Sequence, residues 1–416
     1  MGVTILDLPV ELIEEILSYP EYHLRKGRVR NLRYACSTLY HKTHGWFGRT
    51  FLNIVRCRFT PKTLDLLASL SENPHTRDYV KCLLAPETSM SKKSGTAYDW
   101  NRNEQRDIIQ PYPKGFAKLE SLLRDSFTKC SSLELVASID DPSDMPGVDG
   151  INSIESFMLM LRIFANIKRP LDSINVSLNG SLEQYNKLDA ILDYSFVDTA
   201  EFKAVWERLP KLCVITENGL RMPGWTMALI QRATSLQSLS IAGTTQMEQH
   251  FASAMLPPLS KLDLSKMHFT DIIFENLIQQ LGPTLRDLSL DNVKVRDGCD
   301  WVPFIQKIRP SFTRLRRLRL NSLLYPGGMA QFPSVYDQYV AANIPWTNLV
   351  YNENFYMVCE VEKGFYIHLG RVYTGTKPGK DNWAMGFDYR GPEMVCFLRD
   401  VEQTVKVVWE ASDENI

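Results

Sequence analysis

The stretch Thr270-Asp271-Ile272-Ile273-Phe274-Glu275-Asn276-Leu277-Ile278-Gln279-Gln280-Leu281-Gly282-Pro283-Thr284-Leu285-Arg286-Asp287-Leu288-Ser289-Leu290 decides the fold. Asp271 to Leu281 carries apolar residues at helical spacing, with Thr270 as candidate N-cap. Gly282 is a candidate C′ residue, and Pro283 prevents the helix from continuing. Leu285-x-x-Leu288-x-Leu290 then alternates as a half-buried strand does. Helix and strand follow each other with almost no linker, so the region reads as α/β.

The strand pattern recurs. Leu236-x-x-Leu239-x-Ile241, Leu259-x-x-Leu262-x-Leu264 and Leu315-x-x-Leu318-x-Leu320 share the template, and the four starts are spaced 23, 26 and 30 residues apart. Leu171-x-x-Ile174-x-Val176 and Leu212-x-x-Ile215 are weaker copies, and Leu133-x-x-Val136 and Val80-x-x-Leu83 weaker still. Ile154 to Ile167 reads as a strongly apolar helix before Pro170. The template and its spacing resemble leucine-rich repeats. One strand–helix unit of that kind cannot bury its own apolar face, so neighbours stack into a curved array. The resemblance implies an irregular horseshoe-shaped solenoid over residues 51–325. Its leucines point inward, and the residues between them form a concave, target-binding face: Ser173 and Asn175, then Ser238, Ser240, Lys261, Asp263, Asp287, Ser289, Arg317 and Arg319. Arg314, Arg316, Arg317 and Arg319 are dense enough to suggest an acidic or phosphorylated ligand, because guanidinium groups bind carboxylate and phosphate bidentately. A merely solvated face is the alternative.

The first 50 residues differ. Pro9 suits a first helical turn, and Leu8, Leu12 and Ile16, with Ile13 and Leu17, follow i, i+4 spacing and so read as one apolar stripe. A second helical pattern carries Leu32, Cys36, Leu39 and Tyr40 behind the basic run Arg25-Lys26-Gly27-Arg28-Val29-Arg30, and Trp46-Phe47 follows. Together, Leu8-Pro9-x-Glu11-Leu12-x-x-x-Ile16-Leu17 and Leu32-Arg33-x-x-Cys36-x-x-Leu39-Tyr40 resemble the F-box. That resemblance covers about an eighth of the chain. It implies a short all-α domain at residues 1–50 docking on a Skp-family adaptor through Leu8, Pro9, Leu12, Ile16, Leu17, Leu32, Cys36, Leu39 and Tyr40, and through the adaptor on a cullin scaffold.

Residues 326–416 carry no repeat. Phe355 to Val361 and Phe365 to Leu369 read as a hairpin, and Val395 to Leu398 and Thr404 to Trp409 as further strands. They suit a β-rich cap for the open end of the array, with a small independent domain as the alternative.

Composition narrows the function. The 416 residues hold 47 Lys and Arg against 48 Asp and Glu, a net charge of -1, which argues against a globally basic nucleic-acid binder. No apolar run reaches the ~18–20 residues of a membrane span, and Met1 to Pro9 lacks the positive region of a secretory signal. Eight scattered cysteines without a Cys-x-x-Cys read as reduced thiols of a cytoplasmic or nuclear protein. His41-x-x-His44 has no third metal ligand nearby in sequence. Gly375-x-x-x-Gly379-Lys380-Asp381 is one residue short of a phosphate loop and ends in Asp. No nucleophile, zinc or dinucleotide motif is present, so no cofactor or metal is expected. The resemblance to the F-box followed by repeats implies a non-catalytic substrate-recognition subunit of an SCF-type cullin ubiquitin ligase. The alternative is a binding scaffold whose N-terminal helices only cap the array.

Overall fold

The computed structural model describes residues 5–18, 26–85, 98, 100–102, 104, 108–138, 151, 153–179, 199–216, 229–243, 255–296, 300–325, 328–332, 350–351, 357–362, 365–369, 384–391 and 394–409. The fold is α/β with a large, mostly parallel sheet. Contacts divide the chain into two units, one of residues 1–136 and 143–169, the other of 137–142 and 170–416.

In the first unit, α1 (Val10–Ser18), α2 (Lys26–Ala35), α3 (Ser37–Lys42) and α4 (His44–Phe47) run through a π turn, Gly48–Leu52, into β1 (Ile54–Arg56). Ile13 and Leu17 bury against Val29, Leu39 and Trp46, with Leu8, Leu32, Cys36, Phe47 and Phe51 packed around them. The unit continues with α5 (Pro61–Glu72), α6 (Pro74–Arg77), β2 (Cys82–Ala85), α7 (Lys114–Ser121), β3 (Ser132–Ser138) and α8 (Ser153–Asn166). The strands β1, β2 and β3 are parallel, with Ile54 opposite Cys82 and Cys82 opposite Ser132. Two contacts tie the helices to the strands. A Cβ at Gly48 would lie 2.2 Å from the Tyr79 ring, so the ring needs glycine there. The Asn53 carbonyl accepts from both Lys81 and Cys82, each at 3.0 Å.

The second unit holds β4 (Ser173–Asn179), α9 (Ala200–Trp206), β5 (Lys211–Thr216), β6 (Ser238–Ala242), β7 (Lys261–Ser265), β8 (His268–Phe269), α10 (Asp271–Leu281), β9 (Asp287–Val295), α11 (Trp301–Ser311) and β10 (Arg317–Tyr325). After them come β11 (Gly328–Gln331), β12 (Val350–Tyr351), β13 (Met357–Glu362), β14 (Phe365–Leu369), β15 (Ala384–Arg390), α12 (Met394–Thr404) and β16 (Lys406–Trp409). Strands β4, β5, β6, β7, β9 and β10 are parallel neighbours, and β15, β14, β13 and β12 continue the sheet antiparallel.

A shared device sets the register. Gln237 and Ser238 both donate to the Pro210 carbonyl, Ser260 and Lys261 to that of Gln237, Arg286 and Asp287 to that of Ser260, and Arg316 and Arg317 to that of Arg286. One carbonyl per strand start thus holds two successive amides of the next. Seven residues past the first leucine of each late copy the backbone turns left-handed: Gly243 at φ 84°, Lys266 at 52°, Asn292 at 53° and Ser322 at 49°. In β9 this shifts the alternation by one, so Leu288, Leu290, Val293 and Val295 are all buried.

Several expectations need correction. The three-part architecture, a short all-α F-box, then a horseshoe solenoid, then a β-rich cap, is not what the chain forms. The N-terminal helices fall in one compact unit with the parallel strands β1 and β2, although Ile13, Leu17, Val29, Leu39 and Trp46 form a buried cluster of their own. The C-terminal strands are part of the large sheet itself: Leu318 pairs with Tyr389 and Leu320 with Phe387. Val395 to Leu398 lies in helix α12, whose Met394, Phe397, Leu398 and Val401 are buried at helical spacing. The weak copy at Leu212 is in another register: Leu209, Leu212 and Val214 are buried, while Ile215 is 39% exposed. Cys130, Leu133 and Leu135 likewise replace Leu133 and Val136 as the inward residues. Gly282 is right-handed, with φ −47°. Its need is space, since a Cβ would lie 2.7 Å from the carbonyl oxygens of Ile278 and Ser311.

Candidate functional site

The helical region presents an unusual surface. Seven of the thirteen large exposed hydrophobics among the described residues, Ile5, Leu6, Val10, Leu12, Ile16, Tyr34 and Tyr40, lie within its first 40 positions. On α1, Ile13 and Leu17 form the inward stripe. Leu12 and Ile16, one helical turn apart, stay 45% and 38% exposed, and Pro9 is exposed beside them. The nine expected docking residues therefore separate. Leu17 and Leu39 belong to the core, and Leu8, Leu32 and Cys36 are half-buried against it. Pro9, Leu12, Ile16 and Tyr40 remain outward. Cys36 also caps α3, its Sγ accepting from the Leu39 amide at 3.5 Å.

Arg33, a position of the F-box-like motif just beyond the basic run, has a structural task. It is buried, its guanidinium stacks 4.3 Å from the Tyr40 ring and 4.2 Å from that of Phe47, and it donates to Thr43 Oγ1 at 3.3 Å. Burial lowers its pKa, opposed by the neighbouring Tyr40. Of the basic run, Arg30 is exposed and Val29 buried. Arg25 and the side chains of Lys26 and Arg28 lie outside the described residues. Arg49 Nη2 donates to both carboxylate oxygens of Glu14, at 2.8 and 2.7 Å, and so fixes α1 to the π turn.

The second surface is the outward side of the parallel strands. Register lays three rows across it. Ser238, Lys261, Asp287 and Arg317 form the first, Ser240, Asp263, Ser289 and Arg319 the second, and Ala242, Ser265, Asp291 and Asn321 the third. Apart from buried Asn321, all are half-exposed, whereas the leucines between them are buried. The expected target-binding residues are thus brought onto one sheet face. Ser173 and Asn175 lie on the outward side of β4.

The two arginines are already engaged. Arg317 Nε and Nη2 donate to Asp388 Oδ1 and Oδ2 at 2.9 and 2.5 Å. That bond to Asp388 raises the Arg317 pKa, against the opposing effect of burial, and Asp287 and Asp263 add to the rise. Arg319 Nη2 meets Asp291 Oδ2 at 2.9 Å, and Asn321 Nδ2 meets the other oxygen at 2.8 Å. Asp388 was missed because it stands 71 positions away in sequence. An anionic ligand would meet the charges of Asp388 and Asp291 beside these guanidiniums, although Arg319 Nε is buried without a hydrogen-bond partner.

No group of three or more potential metal ligands occurs among the described residues. Burial pushes the Cys57 and Cys130 thiols up to about 12, and that of Cys82 higher than its ordinary value. Such thiols are poor nucleophiles. His44 packs edge-on against His75 and Tyr79, its Nε2 3.3 Å from the His75 carbonyl oxygen. Residues 375–381 lie outside the described ones. Among the described residues no helix is long and apolar enough to cross a membrane. No family model matches the chain, and no curated protein matches it.

Proposed function

We propose that this chain is a non-catalytic recognition subunit of an SCF-type cullin ubiquitin ligase, working in the cytoplasm or nucleus. The outward face of α1, with Pro9, Leu12 and Ile16, docks on a Skp-family adaptor that links to the cullin. The polar strand face holds the target. Nothing reacts on the chain itself; it raises the target's effective concentration beside the ubiquitin-carrying enzyme. The observation that carries the reading is the concentration of exposed large hydrophobics between Ile5 and Tyr40. A small helical region that exposes this many large apolar side chains has the surface of a protein contact. The F-box-like motif names the partner. An acidic or phosphorylated target would compete with Asp388 and Asp291 for the arginines, so a segment of mixed polar character suits the strand face better.

The alternative is a binding scaffold without an adaptor, whose N-terminal helices serve only their own unit. The inward turn of Leu17 and Leu39 favours it, since those motif residues hold the local core. Co-expression with a Skp-family adaptor separates the two. The first reading expects capture of the adaptor by the wild type and its loss with Leu12→Asp plus Ile16→Asp. The scaffold reading expects no capture by either.

A further inference from the structure

Lys42 ends α3, yet its ammonium reaches back to the segment that precedes α1. Lys42 Nζ donates to the main-chain oxygens of Leu6 at 2.7 Å and Leu8 at 2.8 Å, across 36 and 34 positions of sequence. Ile5 and Leu6 in that segment are 43% and 41% exposed. Of the segment's apolar side chains only Leu8 packs against the helical core. The two bonds from Lys42 to main-chain oxygens are therefore a substantial part of what fixes this turn. Helix α1 itself is held separately, by Ile13 and Leu17 in the core and by the Glu14–Arg49 pair.

We propose that Lys42 is the positioning residue of the docking surface. It fastens the segment from Ile5 to Leu8 so that Ile5, Leu6 and Pro9 extend the apolar face of Leu12 and Ile16 before the adaptor arrives. This inference rests on the adaptor-docking reading. An ammonium carries three donors. Two go to carbonyls that α1 does not use, and the bonds are charge-assisted. A surface whose competent form is populated only in part binds more weakly in proportion to that fraction. Removing the ammonium therefore acts on the segment and on binding, with little effect on the core.

The test uses the full chain, a purified Skp-family adaptor and two variants. Lys42→Met keeps the aliphatic stem and loses the donors, and Lys42→Arg keeps donors for both carbonyls. Calorimetric titration is expected to show affinity about tenfold weaker for Lys42→Met, the loss for a segment about a tenth in place, and near wild type for Lys42→Arg. Hydrogen exchange of a peptide covering residues 5–10 is expected to quicken in free Lys42→Met and not in Lys42→Arg, with α2 and α3 protected as before. Unchanged exchange in Lys42→Met overturns the clamp. Faster exchange with unchanged affinity overturns its role in docking. Loss of protection throughout α2 and α3 makes Lys42 a core residue and also overturns the proposal. If the wild type binds no adaptor, the docking reading itself fails and takes this role with it; wild-type binding that Lys42→Met leaves intact refutes the inference alone.

Discussion

Asp388→Asn is the most informative single change on the strand face. It keeps the shape of the side chain and removes the charge that meets Arg317. The pair is partly shielded, with 26% of the arginine side chain and 13% of the aspartate exposed. Two hydrogen bonds to charged groups would be worth about 1.5–3 kcal/mol each if fully buried. Exposure and screening reduce this, and Asn still offers one acceptor, so the expected loss is about 1–2 kcal/mol. At the chain length of the second unit that is a fall of a few degrees in melting temperature. Urea unfolding of Asp388→Asn, Arg317→Met and the double variant apportions the effect. The cycle is expected to give a coupling of about 1 kcal/mol, because each single change strands a partner that the double change removes. Additive single losses would refute the pairing as a stabilising contact. The same variant removes the negative charge that competes for Arg317, so binding of a phosphorylated peptide should rise in Asp388→Asn and not in the double variant.

Other predictions follow from the same structure. Ile13→Ala should cost about 2–4 kcal/mol in urea unfolding and Leu12→Ala under about 0.5, because only Ile13 is buried. Lys266→Gly should stabilise by about 1 kcal/mol, since an exposed residue at φ 52° gains a backbone that tolerates it. Gly243→Ala should destabilise by more than about 3 kcal/mol, since its Cβ would lie 1.4 Å from the Thr216 carbonyl oxygen. The Cys57 and Cys130 thiols keep their protons to about 12 when folded, against an ordinary 9.0. Their contribution is therefore full below pH 9 and is lost as pH rises from there toward 12. The unfolding free energy from urea titrations should be lower at pH 10 than at pH 8, by about 1 kcal/mol per thiol, and the fall should be smaller in a Cys57→Ala, Cys130→Ala variant. An equal fall in that variant would contradict the assignment.

The late strands were legible because leucine recurs at fixed offsets, and β6, β7, β9 and β10 lie where the template set them. The early copies were harder. In Leu212-Cys213-Val214-Ile215 two neighbouring apolar residues fit either face, and only the buried Leu209 fixes the register. Gly243 and Asn292 carry a signal for the left-handed turn, whereas Lys266 and Ser322 carry none and are held there by the sheet. On α1 the pairs Leu12–Ile16 and Ile13–Leu17 have the same chemistry and spacing, so no sequence pattern tells which faces out; the neighbours Val29, Leu39 and Trp46 decide it. The Arg317–Asp388 pair follows from β15 pairing with β10, which no local periodicity announces.

Adaptor docking by the outward face of α1, as proposed, can be tested in solution. The most direct measurement is the mass in solution of the 47.7 kDa chain purified with a Skp-family adaptor, for the wild type and for Leu12→Asp with Ile16→Asp. The wild type is expected to show the summed mass of one chain and one adaptor, and the variant the mass of the free chain with its melting temperature unchanged. The mass of the free chain for a folded wild type, or an intact complex in the variant, would contradict the proposed docking.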